Sequence, residues 1–352
     1  MLGVRHAESH RAFLSGLLAV AVILGSTIVG PGPAAAQTTS DYYSGKQIRL
    51  VIGSGPGGGY DIYARFLARH IGRHIPGNPT IVPQNMPAAS GLAATNWTYS
   101  VAPKDGTVIL ATYNALLDDP LYGSQVAHFD PLRFETVGSI GKQQTICATW
   151  YTSPIKTIEQ AKEHEVIVPA TGSSGDRATM PRILNAMAGT KFKVVNGYST
   201  TGSMLAVERG EADGICGISW ATLKASNPTW VQNNRLNVLI QAGLKPQAAL
   251  PTVPLVRDLV SDPEDRKVVD LLFFPQDMGR PFVMPPDTPK ELANTIRRAF
   301  DATMQDPAFL AEAEQAMLEV DPISGEEMAD ILKHAYETPK ALIEKAAQFN
   351  GT

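Results

Sequence analysis

Hydrophobic and polar positions along the chain follow two alternating periods. From about residue 48, short runs rich in Val, Ile and Leu are followed by segments whose apolar residues lie three and four positions apart. The runs are typical of strands and the segments are typical of amphipathic helices. Their alternation predicts an α/β fold with crossover helices flanking the sheets.

The predicted strands are short, and several of them end at a glycine. They cover residues 48–52, 80–82, 108–111, 166–168, 192–195, 214–219 and 236–241, and residues 137–150 form one long strand or two short ones. Predicted helices begin near residue 61, cover 157–163 and 204–209, and end the chain over 325–349. The last third has few strand patterns, so we expect its helices to pack back on the first lobe.

The first 36 residues have the pattern of a secretory signal. Arg5 and Arg11 precede an apolar run from Ala12 to Gly30, and Ala34-Ala35-Ala36 offers a cleavage site,. The apolar run is short for a membrane span, which is the alternative interpretation. We therefore expect export to the periplasm, with cleavage near Ala36.

Length and charge limit the class of protein. The chain has 352 residues and a formal net charge of −4. The part after the signal is longer than one hydrophobic core usually serves, so we expect two lobes, with 37–139 and 241–352 in the first and 140–240 in the second. The acidic balance argues against nucleic-acid binding, which favours basic surfaces.

Two cysteines, Cys147 and Cys216, are present. In an oxidising compartment they either pair or remain as two buried thiols, and the sequence does not decide between these alternatives. The Cys and His spacings typical of zinc sites are missing, so we expect no metal.

The segment Gly53-Ser54-Gly55-Pro56-Gly57-Gly58-Gly59 lies between a predicted strand and a predicted helix. Its spacing matches a dinucleotide fingerprint, but the next strand ends without the acidic residue that such a site needs, and Pro56 lacks an N–H group. We expect no cofactor. Glycines still let the backbone approach a ligand, and the helix start favours an anion. The alternative is a tight turn without a ligand.

Two later turns have a similar setting. Residues 172–175 and 197–202 follow predicted strands and are rich in glycine and hydroxyl side chains. Such turns at the carboxyl ends of strands are where open α/β sheets bind ligands. We therefore expect peptide amides at opposed glycine turns, and not a charged side chain, to hold an anion.

A series of motifs in fixed order resembles a known family. The motifs are Ile48-Arg49-Leu50-Val51-Ile52-Gly53, Pro56-Gly57-Gly58-Gly59-Tyr60-Asp61, Val82-Pro83-Gln84-Asn85-Met86-Pro87, Ala102-Pro103-Lys104-Asp105-Gly106, Gly197-Tyr198-Ser199-Thr200-Thr201, Glu208-Arg209-Gly210-Glu211-Ala212-Asp213, Leu250-Pro251-Thr252-Val253-Pro254 and Pro285-Pro286-Asp287-Thr288-Pro289. Together they resemble the substrate-binding proteins of tripartite tricarboxylate transporters, the TctC-like or Bug family.

The resemblance implies a two-lobed periplasmic-binding-protein fold (type II-like), with mixed sheets, flanking helices and a ligand cleft between lobes that close like a Venus flytrap. It also implies a small carboxylate ligand, held mainly by backbone N–H groups and bridging waters, and a two-component membrane permease as partner. We expect a monomer. The candidate ligand-binding residues are Ser54, Gly55, Gly57, Gly58, Tyr60, Asp61, Tyr113, Ser173, Ser174, Gly175, Tyr198, Thr200, Thr201, Asp213 and Arg280.

The chain departs from the family pattern near the expected cleft. Tyr60 stands where the family has Thr, and Arg280 stands where it has an aromatic residue. Tyr60 could pack on an apolar part of a ligand. Arg280 or Arg177 could bind a second carboxylate in a bidentate manner, and the alternative for each is a solvated surface charge.

No arrangement of residues indicates catalysis. Residues 172–175 lack the G-x-S-x-G pattern of a nucleophile elbow, and His70 and His74 lack the intervening Glu of H-E-x-x-H,. We expect these histidines to be solvated or to cap a helix, and Asp61 to cap or orient the first loop. The protein is therefore predicted not to be an enzyme. The alternatives are a secreted α/β hydrolase of a small ester or amide, and a ligand sensor for a receptor kinase.

Overall fold

The computed structural model describes residues 42–57, 59–170, 176–198 and 200–349. The predicted signal segment, Gly58 and residues 173–175 lie outside this part of the chain. The strands are β1 (Gln47–Ile52), β2 (Thr80–Asn85), β3 (Val108–Ala111), β4 (Glu135–Ser139), β5 (Thr145–Trp150), β6 (Val166–Ala170), β7 (Phe192–Asn196), β8 (Gly214–Ser219), β9 (Leu236–Gln241), β10 (Pro281–Met284) and β11 (Ile323–Ser324).

The α-helices follow the alternation that the sequence predicts. They are α1 (Gly59–Ile71), α2 (Leu92–Ser100), α3 (Ile158–Glu163), α4 (Asp176–Ala188), α5 (Thr200–Glu208), α6 (Trp220–Ser226), α7 (Pro228–Gln232), α8 (Pro263–Asp277), α9 (Lys290–Met304), α10 (Pro307–Gln315), α11 (Gly325–Tyr336) and α12 (Lys340–Ala347). Among the described residues, every helix is too short or too polar to cross a bilayer.

Six strands form the largest sheet, in the order β11-β4-β10-β3-β1-β2. The strand β1 pairs in parallel with β2 and β3, while β10 is antiparallel to both β3 and β4. We call this sheet and the helices packed on it the first lobe. Because β1 lies inside the parallel part of the sheet, the loop after Ile52 leaves from the carboxyl ends of its strands, as the sequence predicts.

Apolar side chains cover both faces of this sheet. One layer includes Ile48 and Leu50 of β1 and Phe300 of α9, and the other includes Val51 of β1 and Leu110 of β3. The first layer also contains the predicted apolar face of α1, where Tyr63, Phe66, Leu67 and Ile71 are all buried. Burial on both faces explains why β3 is a continuous apolar run without alternation.

The remaining sheets are smaller. The strands β8, β5 and β9 form an antiparallel sheet in that order, and β6 and β7 form a parallel pair. We call these sheets and their helices the second lobe. Cys147 of β5 lies opposite Cys216 of β8, and the two form a disulfide with Cα atoms 3.9 Å apart. Of the two alternatives left open by the sequence, the structure therefore has the paired one.

The helix α8 packs into both lobes. Val268, Leu271 and Phe274 belong to the apolar cluster of the first lobe, whereas Val269 and Phe273 belong to a cluster of the second. All five side chains are nearly inaccessible to solvent. The two sets of residues lie on adjacent strips of one helix, so α8 fills the space between the lobes.

A single carboxylate joins the connections between the lobes. Residues 140–144 lead from β4 to β5, and the chain returns from β9 through α8 to β10. At the end of α8, Asp277 Oδ1 accepts a hydrogen bond from Gln144 Nε2 at 3.2 Å, and Oδ2 accepts one from the Leu244 N–H at 2.8 Å. Asp277 thereby holds both connections next to the start of β10.

The structure corrects three sequence predictions and decides a fourth. The last third of the chain packs on the first lobe as predicted, but it also contributes β10 to the middle of the first sheet, and the final helix is divided into α11 and α12, with Pro339 before the second. The segment 137–150 forms two strands, one of the two alternatives that the sequence left open, and the first of them, β4, starts at Glu135. His70 is buried and not solvated, because its Nε2 lies 2.6 Å from Glu312 Oε2.

Candidate functional site

The glycine-rich loop after β1 is held in place by Asp61, in the first turn of α1. Asp61 Oδ2 accepts a hydrogen bond from the Gly57 N–H at 2.8 Å, and Oδ1 accepts from Asn85 Nδ2 at 2.7 Å and from Arg65 Nε at 2.9 Å. Burial of Asp61 opposes ionisation, but these hydrogen bonds outweigh it and lower the pKa of the carboxyl below its ordinary value,. The side chain of Asp61 is thus occupied in bracing the loop.

Space remains in front of this loop. Gly57 has φ = +80°, a conformation that favours glycine,. A Cβ built on Gly55 would meet no atom within 4 Å, so the backbone there borders open space. The first N–H groups of a helix have no partner inside the helix, and those of α1 begin at Gly59,. The loop and the helix start therefore offer peptide donors to a group in that space.

Arg280 packs against this helix start. It is only 9% exposed, and its guanidinium carbon lies 4.5 Å from the ring centroid of Tyr60 and 5.1 Å from that of Tyr63. Its Nη1 donates to Gln143 Oε1 and to the Gly279 carbonyl, while Nε has no hydrogen-bond partner among the described residues. The alternative of a solvated surface charge is therefore wrong for Arg280.

The charge of Arg280 reaches the loop itself. A Cβ on Gly59 would lie 3.4 Å from Arg280 Nη2, so the absence of a side chain at Gly59 lets the guanidinium approach the first turn of α1. A buried cation that still has an unpaired N–H adds to the positive end of the helix dipole. The two features together favour an anion at this position.

Tyr60 connects the loop with the first connection between the lobes. Its Oη lies 2.7 Å from Asn114 Oδ1 and 2.9 Å from Gln143 Oε1. Its ring contacts that of Tyr113 edge-on, with centroids 4.3 Å apart. Burial raises the pKa of Tyr60 to about 12, against the opposing effect of Arg280, so its hydroxyl stays protonated,. Gln143 and Asn114 were not predicted, because no sequence motif marks them.

The second lobe brings fewer of the predicted residues together. The Tyr198 N–H donates to the Ala170 carbonyl at 3.2 Å, which puts Tyr198 beside the carboxyl end of β6. Thr200 and Thr201 begin α5 a few residues further on. Ser173, Ser174 and Gly175 lie outside the described residues. Asp213 precedes β8, and its Oδ2 accepts from the Ile167 N–H near the amino end of β6, so it does not join this group.

A buried carboxyl group of the first lobe is affected by the charge of a carboxyl group of the second. Asp118 follows β3 and is 7% exposed, and its pKa lies well above the ordinary value because of burial and then of the charges of Asp119 and Asp176. Asp176 begins α4 of the second lobe. The Asp118 carboxyl consequently retains its proton more readily than an exposed one, and a protonated carboxyl can donate a hydrogen bond.

The other polar clusters have structural roles. His74 Nε2 lies 2.8 Å from Asp306 Oδ2, and with the His70–Glu312 contact it ties α1 and the turn after it to α10. Within the described ranges, no group of three His, Cys, Asp or Glu side chains is arranged to hold a metal ion.

The fold defines a class of protein. Two α/β lobes, joined by two connections and with glycine-rich turns at strand ends, form the periplasmic-binding-protein fold that the motifs predict. The structure is similar to a TctC solute-binding protein from Polaromonas, with a TM-score of 0.66, 18% identity and coverage of 86% of this chain and 99% of that one. It is also similar to the periplasmic binding protein BugD, with a TM-score of 0.57, 18% identity and coverage of 88% and 99%. The resemblance and the predicted fold class are thereby confirmed.

Two further similar structures carry ligands. MatC from Rhodopseudomonas palustris, with bound malate, has a TM-score of 0.56, 14% identity and coverage of 86% of this chain and 99% of that one. An R. palustris protein with adipate has a TM-score of 0.57, 16% identity and coverage of 87% and 97%.

A curated relative extends the similarity to sequence. The UPF0065 protein in the gbd 5′ region of Cupriavidus necator is 25% identical over 320 residues, which are 88% of this chain and 90% of that protein. No family model matches the chain.

Proposed function

We propose that this protein is a periplasmic solute-binding protein that captures a small organic carboxylate for a two-component membrane permease, and that it is not an enzyme. The observation that carries the proposal is Arg280. A guanidinium that is 9% exposed, with an unpaired Nε, packs against the first turn of α1, which follows the loop whose backbone borders open space at Gly55. Burying such a charge is costly unless an anion or hydrogen bonds compensate it.

The carboxylate is proposed to sit in front of residues 54–61. Peptide N–H groups of the loop and of α1 donate to one of its oxygens, and Arg280 supplies the positive charge behind them. This differs from our expectation that backbone amides act without a charged side chain. Similar structures with malate and with adipate support a carboxylate as the class of ligand. Tyr60 and Tyr113 offer aromatic surface for an apolar part of the ligand,.

We propose that closure of the cleft brings the second lobe into contact with the ligand. In this proposal residues 140–240 form the moving body, and the turn 173–175 together with Tyr198, Thr200 and Thr201 closes over the ligand from the other side. The closed form is what a permease would recognise. Export through a signal cleaved near Ala36 would bring the protein to the periplasm, as the resemblance to periplasmic relatives supports.

The first test compares Arg280, which packs against α1, with Arg69, which lies on α1. The purified protein is titrated with dicarboxylates and monocarboxylates of four to nine carbons by calorimetry and by thermal shift. Loss of the positive charge near the bound carboxylate in Arg280→Gln should weaken binding by roughly ten- to a hundredfold. Arg69→Gln is the control, because Arg69 is exposed on α1 and pairs with Glu312. Equal affinities of the two variants would remove Arg280 from the site.

A second test fills the space in front of the loop. Gly55→Val adds a side chain where no atom lies within 4 Å, so the fold should tolerate it while the ligand is excluded. Ala302→Val, at an exposed position of α9, is the matched control for an added β-branched residue. Retained carboxylate affinity in Gly55→Val would show that the ligand lies elsewhere.

The enzyme alternative is tested on the same samples. A binding protein returns its ligand unchanged, whereas a hydrolase releases product from a small ester or amide. We expect thermal shift to show that carboxylates stabilise the protein. We expect proton NMR of the incubated carboxylates, esters and amides to show no turnover. Accumulating product that depends on the protein would favour the hydrolase.

A further inference from the structure

A cavity lies between α8 and α11, away from the loop after β1. Its volume is about 570 Å³, and it shares no residue with the group around Arg280. Cavities of this size are typical of sites for small molecules. Its floor is formed by Leu271 and Phe274 of α8 and Ala335 of α11, which are all buried in the apolar cluster of the first lobe.

The rim of this cavity carries an excess of negative charge. Glu327, Asp330 and Glu337 are exposed carboxylates at its edge, and Lys267 is the lysine among the residues that line it. Lys267 Nζ donates to Glu264 Oε1 at 2.8 Å, outside the cavity. Glu327 and Glu337 pair with Lys245 and Lys333 at 3.7 and 3.9 Å, whereas Asp330 has no salt-bridge partner within the part of the chain that the structure describes. An apolar floor below an acidic rim complements a molecule with an alkyl body and a positive end.

We propose that this cavity is a second ligand site, for a small amphiphilic cation such as an alkylammonium. The alkyl chain packs on Leu271, Phe274 and Ala335, and the ammonium group faces Asp330 and its acidic neighbours. The site goes beyond the proposed carboxylate function and has the opposite charge preference. It is therefore separable from the first-loop site by ligand and by variant.

The experiment uses three probes that differ only in the head group. The purified protein is titrated with hexylammonium, hexanol and hexanoate by calorimetry, at low and at high salt. In Arg280→Gln, whose first-loop site is weakened for carboxylates, we expect hexylammonium to bind best and hexanoate worst, because the rim attracts the first and repels the second. The advantage of hexylammonium over hexanol should shrink at high salt. Equal binding of all three probes, or no saturable binding of hexylammonium, would overturn the proposal.

Variants then locate the binding. Ile331 lines the cavity and is half-buried, so Ile331→Trp should fill it and weaken hexylammonium binding by at least about tenfold,. Asp330→Lys should weaken hexylammonium by roughly threefold and leave hexanol unchanged. Glu344→Lys, at an exposed position of α12 outside the cavity, is the matched charge control. Arg280→Gln should leave hexylammonium binding unchanged.

Two outcomes contradict the assignment even if hexylammonium binds. If neither Asp330→Lys nor Ile331→Trp changes the affinity for hexylammonium, the ligand binds outside this cavity. Loss of hexylammonium binding in Arg280→Gln would move it to the first-loop site. If Ile331→Trp melts at a much lower temperature than the native protein, its result is not used. Asp330→Lys then decides, because Asp330 is exposed and its substitution should not disturb the fold.

Discussion

The two lobes are stabilised in different ways. The first has a six-stranded sheet with an apolar layer on each face, whereas the second has a three-stranded sheet and a separate two-stranded one. Only the second is cross-linked, by the disulfide between Cys147 and Cys216. Small sheets bury less apolar surface for each residue that they order. The comparison indicates that the larger lobe depends on packing, and that the smaller one gains stability from a covalent bond.

The tryptophans allow the lobes to be observed separately. Trp150, Trp220 and Trp230 belong to an apolar cluster of the second lobe or pack against it, and Trp97 packs in the first. Tryptophan fluorescence therefore reports mainly the second lobe. Far-UV circular dichroism reports the helices of both. The first and the third of the predictions below use this difference.

Removing the disulfide should have the largest effect. The bond closes a segment with a sequence separation of 69, so its loss should lower the free energy of unfolding of the second lobe by about 4 kcal/mol,. The test is urea unfolding of the Cys147→Ala/Cys216→Ala double variant. The fluorescence transition should shift more than the circular dichroism transition. Coincident, unshifted transitions would mean that the second lobe does not rely on the bond.

The next effect concerns Asp277, which joins the connections between the lobes. Burial raises its pKa from 3.8 to about 6, and the N–H of Leu244 and the charges of Lys142 and Lys245 oppose this shift. The folded protein therefore binds the Asp277 proton more tightly than the unfolded chain does. The resulting contribution to the free energy of unfolding is fully present below about pH 4 and is lost as the pH rises through about 6. Ionisation of buried Asp277 thus lowers the free energy of unfolding by about 3 kcal/mol well above pH 6, and by about half of that near pH 5.

Asp277→Asn should remove this pH dependence. Between pH 5 and pH 8, the unfolding free energy of the variant should rise relative to that of the native protein by about half of this 3 kcal/mol penalty. Urea unfolding at both pH values measures it. Asp330→Asn is the control, because Asp330 is exposed and does not contribute to the pKa shift of Asp277. A difference that does not vary with pH would place the titration elsewhere.

The smallest effect is expected in the core of the first lobe. Ile109 of β3 is 1% exposed, and Ile109→Val removes one methylene group, at a cost of about 1 kcal/mol,. Here the circular dichroism transition should shift more than the fluorescence transition, the reverse of the disulfide variant. If fluorescence shifts equally, the lobes unfold as one unit and the comparison between them fails.

Much of the fold could be predicted because it depends on local patterns. The strands β3, β8 and β9 have the predicted bounds, and the apolar face of α1 is buried as predicted. The strand β10 was missed because Pro281–Met284 is only four residues long and follows a helix, so no period is visible. The pairing of Cys147 with Cys216 depends on the register of β5 against β8, which spacing along the chain does not determine.

The candidate site was predictable only in part, for a related reason. The loop after β1 has a local signature, and Tyr60, Tyr113 and Arg280 do come together around it. Whether Arg280 is buried depends on β10 lying between β3 and β4, a long-range pairing. Gln143 contributes through its position in the connection between the lobes, where no periodic pattern exists. Residues 173–175 and Gly58 remain predictions.

The packing of α8 has a mechanical consequence. Val268, Leu271 and Phe274 contact one core while Val269 and Phe273 contact the other, so separating the lobes completely would expose apolar surface on one side of this helix. Wide opening is therefore energetically unfavourable, and small sliding of α8 against one core is the lower-cost motion. The entrance to the cleft should change by shear of a few ångströms, with the helix travelling as part of one lobe.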